Sequence, residues 1–139
     1  MTISASDRYG LPTALDDEVI LGLVQLTRQT RFVAPRVAFS KYELINLLGW
    51  RQEGKSYRRI DESLKRWLGV TLYYEKAWWD KQAECWIDAG FHLIEQISLA
   101  RQHASRRASD KRPEPAQSSF TWNDVVFGSF QAGYIKQLD

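Results

Sequence analysis

Hydrophobic residues recur at helical spacing near the start of the chain. Within TALDDEVILGLVQLTRQ, the apolar Val19, Leu23 and Leu26 fall on one stripe, which is the pattern of a helix that buries one face. Thr13 precedes this stripe and is a suitable N-cap, because its side-chain oxygen can accept a hydrogen bond from the first turn. The pattern therefore predicts a helix that begins after Thr13.

Two further helices are predicted after a short alternating segment. RVAFS predicts a brief strand. SKYELINLLGW begins with Ser40, has Glu43 three residues later as in a capping box, and reaches Gly49 where a helix would end. SYRRIDESLKRWLG has apolar residues at helical spacing and ends at Gly69, so it predicts a third helix.

The next two segments alternate and are rich in β-branched and aromatic residues. VTLYYEKAWW predicts one strand, and ECWIDAGFHLIEQISL predicts a second strand after the polar turn DKQA. Together they predict a long β-hairpin over residues 70–99, in which Trp78 or Trp79 faces Trp86 across the strands. A helix, a short strand, two helices joined by a turn and a hairpin follow each other in the order of a winged helix, an α+β fold.

Changes in composition divide the chain into four parts. Residues 1–12 predict a flexible N-terminus, and residues 13–100 form the predicted winged-helix domain. Residues 101–118 are polar and basic, which predicts a flexible linker whose cations either contact phosphates without sequence preference or only keep the linker solvated. Residues 119–139 turn apolar again and predict a C-terminal segment of helix and strand, with Thr121 as the helix cap. The cations of the predicted linker are Arg101, Arg106, Arg107, Lys111 and Arg112.

Charge and cysteine usage exclude several classes of protein. The 139 residues have a net charge of +2, so any nucleic-acid footprint depends on where the cations lie rather than on their sum. Cys85 is the only cysteine and the chain has only two histidines, which argues against disulfides and against a zinc site. The first ten residues lack the pattern of a signal peptide, and no apolar run reaches membrane-spanning length. We therefore predict a soluble, cytoplasmic protein without metal, cofactor or membrane contact, and no catalytic arrangement indicates an enzyme.

One stretch matches a nucleotide-binding motif. GWRQEGKS, residues 49–56, fits the pattern G-x-x-x-x-G-K-[ST] at every specified position. That motif requires a buried strand before the first glycine, whereas the sequence predicts a helix before Gly49. We therefore interpret the stretch as the turn between two helices, with Lys55 and Ser56 opening the third helix where both can meet a phosphate of the DNA backbone.

A mostly cationic face is predicted on the third helix, opposite its apolar stripe. The second helix of a helix-turn-helix enters the major groove, and arginine binds guanine or phosphate through two hydrogen bonds, so this face suits DNA. The alternative is an ordinary solvated face in which Glu62 pairs with Arg58 and Arg66, four residues away on either side. The candidate contacts in the turn and the third helix are Arg51, Lys55, Ser56, Arg58, Arg59, Glu62, Lys65 and Arg66.

The predicted wing offers two further candidates. Lys76 and Lys81 either contact phosphates or the minor groove, or only protect a strand edge against unwanted pairing. The three tryptophans of the wing, Trp78, Trp79 and Trp86, either form an interface or pack on one another across the hairpin.

Five segments together resemble the bacterial plasmid replication initiator family called replication initiator protein A. They are YGLPTALDDEVILGLVQLT, FSKYELINLLGW, GKSYRRIDESLKRWLGVTL, WWDK and FTWNDVVFGSFQAGYIKQLD, and they cover most of residues 9–99 and 119–139. The resemblance implies a protein that binds repeated sites in double-stranded DNA at a plasmid origin and helps to open it. It also implies host replication proteins as possible further partners.

The resemblance leaves two functions open for this chain. Related initiators that bind such repeats carry two winged-helix domains, of which the second makes the main base contacts and the first mediates dimerisation. Because the chain stops at Asp139, where a second domain is expected, we expect the N-terminal domain of a longer protein. This domain either contacts origin repeats through the turn and the third helix and forms a homodimer, or is chiefly a dimerisation or protein-interaction module with its contacts in the hairpin.

Overall fold

A computed structural model describes residues 2–5, 10–101 and 117–138 of the chain. Within these ranges the helices are α1 (Ala14–Gln29), α2 (Lys41–Leu48), α3 (Gly54–Leu68) and α4 (Asp124–Leu138). The strands are β1 (Thr2–Ser4), β2 (Arg36–Phe39), β3 (Thr71–Asp80), β4 (Cys85–His92), β5 (Ile94–Ser98) and β6 (Ser118–Trp122). The predicted order of elements is confirmed, and the domain is a winged helix. Each described helix is too short or too polar to cross a membrane.

α1 begins where the sequence predicts. The Thr13 backbone N–H donates to Asp16 Oδ2 at 2.7 Å, and the Thr13 hydroxyl donates to the same oxygen at 3.1 Å. Val19, Leu23 and Leu26 are buried along the predicted stripe. The cap fixes where this helix begins, and the buried apolar stripe fixes which side of it faces the core.

The strands form two antiparallel sheets of three, which we call the core sheet and the wing sheet. The core sheet has the order β2-β6-β5, and the wing sheet has the order β1-β3-β4. In the core sheet, Val37 of β2 lies opposite Phe120 of β6, and Ile97 of β5 lies opposite Phe120 on the other side. β6 is therefore the central strand, although it comes last in sequence.

The prediction of one strand over ECWIDAGFHLIEQISL is wrong, because this segment forms two strands in different sheets. β4 ends at His92 in the wing sheet, and β5 begins at Ile94 in the core sheet. Side chains of β4 are at most half-buried, whereas Ile94 is fully buried. Burying this apolar side chain in the core is favourable, and the exposed wing offers no position where it would be buried as fully. The Asn123 N–H donates to Leu93 O at 3.1 Å and holds the chain where it changes sheet.

Two details of the C-terminal prediction are also corrected. Ser118, predicted as the last linker residue, is buried as the first residue of β6. Thr121, predicted as a helix cap, lies within β6, and Asn123 caps α4 instead by accepting the Val125 N–H at 2.8 Å on its Oδ1. The reason is that β2 and β5 each need a hydrogen-bonding neighbour, so this segment is drawn into their sheet. Residues 102–116 of the predicted linker lie outside the described residues.

The start of the chain also differs from its prediction. Residues 2–4, predicted to be flexible, form β1, in which Ile3 lies opposite Leu72 of β3. The pairing supplies the backbone hydrogen bonds of one edge of the wing sheet. Residues 6–9 lie outside the described residues.

The core is organised around Trp122, which is fully buried. Its Nε1–H donates to Thr27 Oγ1 at 2.8 Å, and the Thr27 hydroxyl donates to Leu23 O at 2.8 Å. The Trp122 ring meets Phe120 and Phe130 edge-on, with centroids 5.5 and 5.1 Å apart. These contacts tie β6 to α1 and α4, and they satisfy the indole N–H inside an aromatic core.

The wing, which we define as residues 71–92, projects from this core. Its described apolar side chains do not belong to the hydrophobic cluster that the helices and the core sheet enclose. Trp79 lies opposite Trp86, with ring centroids 5.5 Å apart at an interplanar angle of 71°, so the predicted cross-strand pair is confirmed. The wing is held by its own strands and aromatic contacts rather than by the core.

Candidate nucleic-acid interface

Gly49 ends α2 and starts the turn to α3. Its φ of +75° lies in the left-handed region, which glycine adopts without strain. The Gly49 N–H donates to Asn46 O at 3.1 Å, and the Trp50 N–H donates to Ile45 O at 3.1 Å. This pair of bonds satisfies the last carbonyls of α2 and turns the chain sharply.

The surroundings of the phosphate-loop pattern are those of a helix-turn-helix. As predicted, a helix and not a strand precedes Gly49. α3 begins at Gly54, one residue before Lys55 and two before Ser56. Gly49 therefore ends α2 and Gly54 begins α3. A helix–turn–helix stands where a nucleotide-binding loop would require a strand, a loop and a helix.

Gln52 fixes the turn by hydrogen bonds on both sides. Its Nε2 donates to Tyr42 O and to Asn46 Oδ1, each at 2.9 Å, and its Oε1 accepts the Tyr57 hydroxyl at 2.9 Å. Burial and the neighbouring Tyr42 raise the pKa of Tyr57, so its hydroxyl stays a hydrogen-bond donor to a higher pH than an ordinary tyrosine. The three contacts connect α2, the turn and α3, and they orient the first turn of α3. Sequence reasoning missed this role, since a lone glutamine in a turn carries no distinctive signal.

Ser56 does not lie on the exposed side of α3. It is 3% exposed and lies on the same side of the helix as the fully buried Ile60 and Leu64. Glu53, rather than Ser56, occupies the cap position before α3. We therefore leave Ser56 out of the candidate interface, although the sequence pattern included it.

The exposed side of the turn and of α3 is cationic, and we call it the recognition surface. Two carboxylates lie among its five cations, so its net charge is +3. Arg51, Lys55 and Arg58 are exposed, and Arg59 and Lys65 are half-buried. The recognition surface consists of Arg51, Glu53, Lys55, Arg58, Arg59, Glu62 and Lys65.

Arg66, which the helical wheel placed among the DNA contacts, holds the domain together instead. Its Nε lies 2.7 Å from Asp16 Oδ2, and its Nη2 lies 2.8 Å from Asp16 Oδ1. Trp67 also donates its Nε1–H to Asp16 O at 2.9 Å. Because Asp16 is fully buried, this bidentate pair clamps the start of α1 to the second half of α3. Two nitrogens of the half-buried Arg66 guanidinium are thus occupied by Asp16.

Asp16 is ionised in this clamp. Burial by itself raises the pKa of its carboxyl, but hydrogen bonds from Arg66 and from the Thr13 N–H outweigh burial and lower the pKa from 3.8 to about 2. The hydrogen bond to Asp16 in turn raises the pKa of Arg66. In the sequence, Asp16 has the appearance of an ordinary first-turn acid, and its partner lies 50 residues away. Only the tertiary structure identifies the pair.

A second ion pair supports α3 from the other side. Lys41 Nζ lies 2.6 Å from Asp61 Oδ1, and both side chains are largely buried. In the described part of the chain the ion pairs are this one and Arg66–Asp16, so neither contains Glu62. The ion pairs of Glu62 with Arg58 and Arg66 that the alternative predicts are therefore not formed, although the charge of Glu62 adds to the raised pKa of Arg66.

The lysines of the wing lie in acidic surroundings. Lys76 lies in a bulge between Tyr74 and Trp78, and Lys81 lies in the turn between β3 and β4. Both are exposed. The wing contains four carboxylates against these two cations, a net charge of −2, which repels phosphate. Its carboxylates are Glu75, Asp80, Glu84 and Asp88.

A known protein family matches most of the chain. The sequence model of the family described as "Replication initiator protein A" matches residues 1–118. This range contains α1, α2, α3 and the wing, and therefore the recognition surface. A search of curated proteins finds no match.

Comparison with solved structures supports the fold. The crystal structure of domains 2 and 3 of RctB, solved as selenomethionine derivatives, superposes with a TM-score of 0.72 at 17% identity, over 94% of this chain and 48% of that chain. A second RctB structure of the same domains gives a TM-score of 0.68 at 18% identity, over 93% of this chain and 47% of that chain. The WH1 domain of MSBI1.176, a replication protein isolated from a multiple sclerosis patient, superposes with a TM-score of 0.53 at 12% identity. The superposition covers 94% of this chain and 88% of that chain. This chain spans about half the length of the RctB chains, and the low identities restrict the likeness to the fold.

Proposed function

Because the chain belongs to the replication initiator protein A family, we propose that this domain binds double-stranded DNA at the repeats of a plasmid origin through its recognition surface. One observation carries the proposal: a net charge of +3 lies on the exposed side of the helix that follows a helix-turn-helix turn. Such a helix enters the major groove in proteins of this architecture. The proposed action is binding rather than catalysis, and it takes place in the bacterial cytoplasm, where plasmid DNA lies.

Different parts of the recognition surface suit different parts of the duplex. We assign Arg51 in the turn and Lys55 at the start of α3 to backbone phosphates, because the positive end of the helix dipole adds to their charge there. Arg58 and Arg59 lie one turn further along α3 and suit guanine edges or the next phosphate. Glu62 can accept a hydrogen bond from cytosine N4.

Two ion pairs and Gln52 hold the recognition surface in a fixed conformation in the absence of DNA. Arg66–Asp16 fixes α3 against α1, Lys41–Asp61 fixes it against α2, and Gln52 fixes the turn. A surface that is already ordered loses less entropy when it binds. The buried polar contacts therefore support affinity without touching the ligand.

The test is selection of duplexes from a random pool by the full chain, followed by fluorescence anisotropy. We expect a repeated sequence to be enriched, to occur in a plasmid origin, and to bind at least about tenfold more tightly than random duplex. Equal affinity for every duplex would mean that the surface contacts phosphates only. No binding at low salt would refute the proposal.

A second candidate function is protein interaction, and the exposed aromatic side chains of the wing favour it. Trp78, Trp79 and Trp86 are 54, 46 and 53% exposed, which is unusual for tryptophan in a domain that acts alone. A homodimer, which the family resemblance implies, is the first form to test. Sedimentation equilibrium of the full chain and of Trp86→Ala measures whether the chain dimerises and whether the wing is used.

A further inference from the structure

The wing presents aromatic side chains on both faces of a projecting sheet. Trp79 and Trp86 lie opposite each other on one face, together with Tyr73. Trp78 lies opposite Ile87 on the other face, together with Tyr74 and its stacked partner Phe91, whose ring centroids are 5.6 Å apart. A sheet that is wet on one side normally has one apolar face. An extended strand lying beside this sheet would find apolar contacts above and below its backbone.

One edge of the wing sheet is open to such a strand. In the described part of the chain, β4 is hydrogen-bonded to β3 on one side only. Along Cys85–His92 every residue of this edge strand is exposed or half-buried. A long open edge with apolar side chains is a template for another strand.

Charge decides which strand fits. The wing has a net charge of −2, and exposed indole rings bind arginine and lysine through cation–π contacts. From these features we propose that the wing binds a basic protein segment in which Arg or Lys alternates with apolar residues, as an added strand along β4. The apolar residues would pack on one face of the wing, and the cations would reach the carboxylates and the indole faces. This inference does not depend on DNA binding by the recognition surface.

The same charge disfavours the other possible occupants. In a symmetric dimer the same patch contacts itself, so pairing β4 with β4 of a second copy would place two surfaces of net charge −2 against each other. A DNA backbone would meet the same repulsion. A basic strand removes the repulsion and keeps the apolar contact.

The experiment uses the full chain and a fluorescently labelled ten-residue peptide of alternating arginine and valine. Two control peptides carry glutamate in place of arginine, or serine in place of valine. We expect the Arg–Val peptide alone to bind, and hydrogen exchange to show protection of β4 amides in its presence. Binding of the Arg–Ser peptide with equal affinity would mean that charge alone acts, and would overturn the proposal.

Two variants locate the binding site. Glu75→Lys/Glu84→Lys should weaken binding of the Arg–Val peptide by about tenfold. The control Asp17→Lys/Glu18→Lys changes the net charge equally at exposed positions of α1, and it should leave binding nearly unchanged. Equal weakening in both variants would refute a site on the wing.

A third variant and one measurement separate the other occupants. Trp86→Ala should weaken binding of the Arg–Val peptide, and it should leave the oligomeric state and the affinity for duplex DNA unchanged. If Trp86→Ala instead converts a dimer to a monomer, the occupant is a second copy. If it instead weakens duplex binding, the occupant is DNA. Either result contradicts a basic protein strand. The Glu75→Lys/Glu84→Lys variant keeps the test valid if loss of the indole disorders the hairpin, because it retains the Trp79–Trp86 pair.

Discussion

The recognition surface and the wing have similar features in the sequence and opposite characters in the structure. Both contain lysines in polar segments next to aromatic residues. α3 packs on the core through Ile60 and Leu64 and is held by two ion pairs, so its remaining cations form a fixed surface of net charge +3. The wing stands outside the core, and its two lysines are outnumbered by carboxylates. The role of a cation therefore depends on the packing and the charge around it.

The largest effect should separate the core from the wing. Trp122→Ala should lower the free energy of unfolding by about 3–5 kcal/mol, since it removes a fully buried indole and leaves a cavity. Trp86→Ala should lower it by only about 0.5–1.5 kcal/mol, because it removes one exposed aromatic pair. Urea denaturation followed by circular dichroism measures both. Equal losses would show that the wing unfolds as part of the core.

The next effect should separate two arginines of α3. Arg66→Ala should cost about 3 kcal/mol of stability, because it leaves the ionised carboxylate of Asp16 buried without its partner. Arg58→Ala should change stability by less than about 0.5 kcal/mol, because Arg58 is exposed. Urea denaturation gives the stabilities. A stable Arg66→Ala protein would mean that the clamp contributes little.

The salt dependence of DNA binding should distinguish the recognition surface from the wing. Lys55→Ala/Arg58→Ala/Arg59→Ala should make the slope of log K against log salt shallower by about 1 to 3, since each lost phosphate contact releases about one counterion fewer. The lower value applies if Arg58 and Arg59 contact guanines, and the upper value applies if both contact phosphates. Lys76→Ala/Lys81→Ala should leave the slope unchanged. Anisotropy titrations between low and moderate salt measure the slopes. If the slope changed more in Lys76→Ala/Lys81→Ala than in the α3 variant, the wing and not the recognition surface would contact the phosphates.

Acid should weaken the clamp. The pKa of Asp16 is lowered to about 2 in the folded protein from 3.8, so the stability that it contributes is present above pH 4 and is lost as the pH falls through about 2. The difference corresponds to about 2 kcal/mol. Asp16→Asn is the control, because its unfolding free energy lacks this component of the pH dependence. Parallel pH profiles for the two proteins would contradict the lowered pKa.

The smallest effect concerns the turn. Gln52→Ala should cost about 1 kcal/mol of stability or less, because its hydrogen bonds are exposed. It should still weaken DNA binding several-fold, since the first turn of α3 loses its orientation. Gln25→Ala, at an exposed position of α1, is the matched control. Undiminished DNA affinity in Gln52→Ala would show that Gly49 alone sets the turn.

Signals that act within a few residues were readable from the sequence. Thr13 and Ser40 begin helices, and Gly49 ends one, because caps depend on backbone groups three to five positions away. The Trp79–Trp86 pair followed from the alternation of two adjacent strands. The order of these local elements was enough to predict a winged helix and to place a cationic helix after its turn.

Contacts between distant residues were decided by the tertiary structure. The chain changes sheet between His92 and Ile94 because a buried position exists beside β6. β6 itself joins the last residue of the predicted linker to the start of the segment that was predicted to contain helix and strand. Arg66 was predicted to contact DNA but forms an ion pair with Asp16, and Ser56 is buried by packing. The sequence alone determined which helix carries positive charge, since helical spacing is local. Which of those charges remain exposed was decided only by folding, because burial and ion pairing depend on neighbours that are far away along the chain.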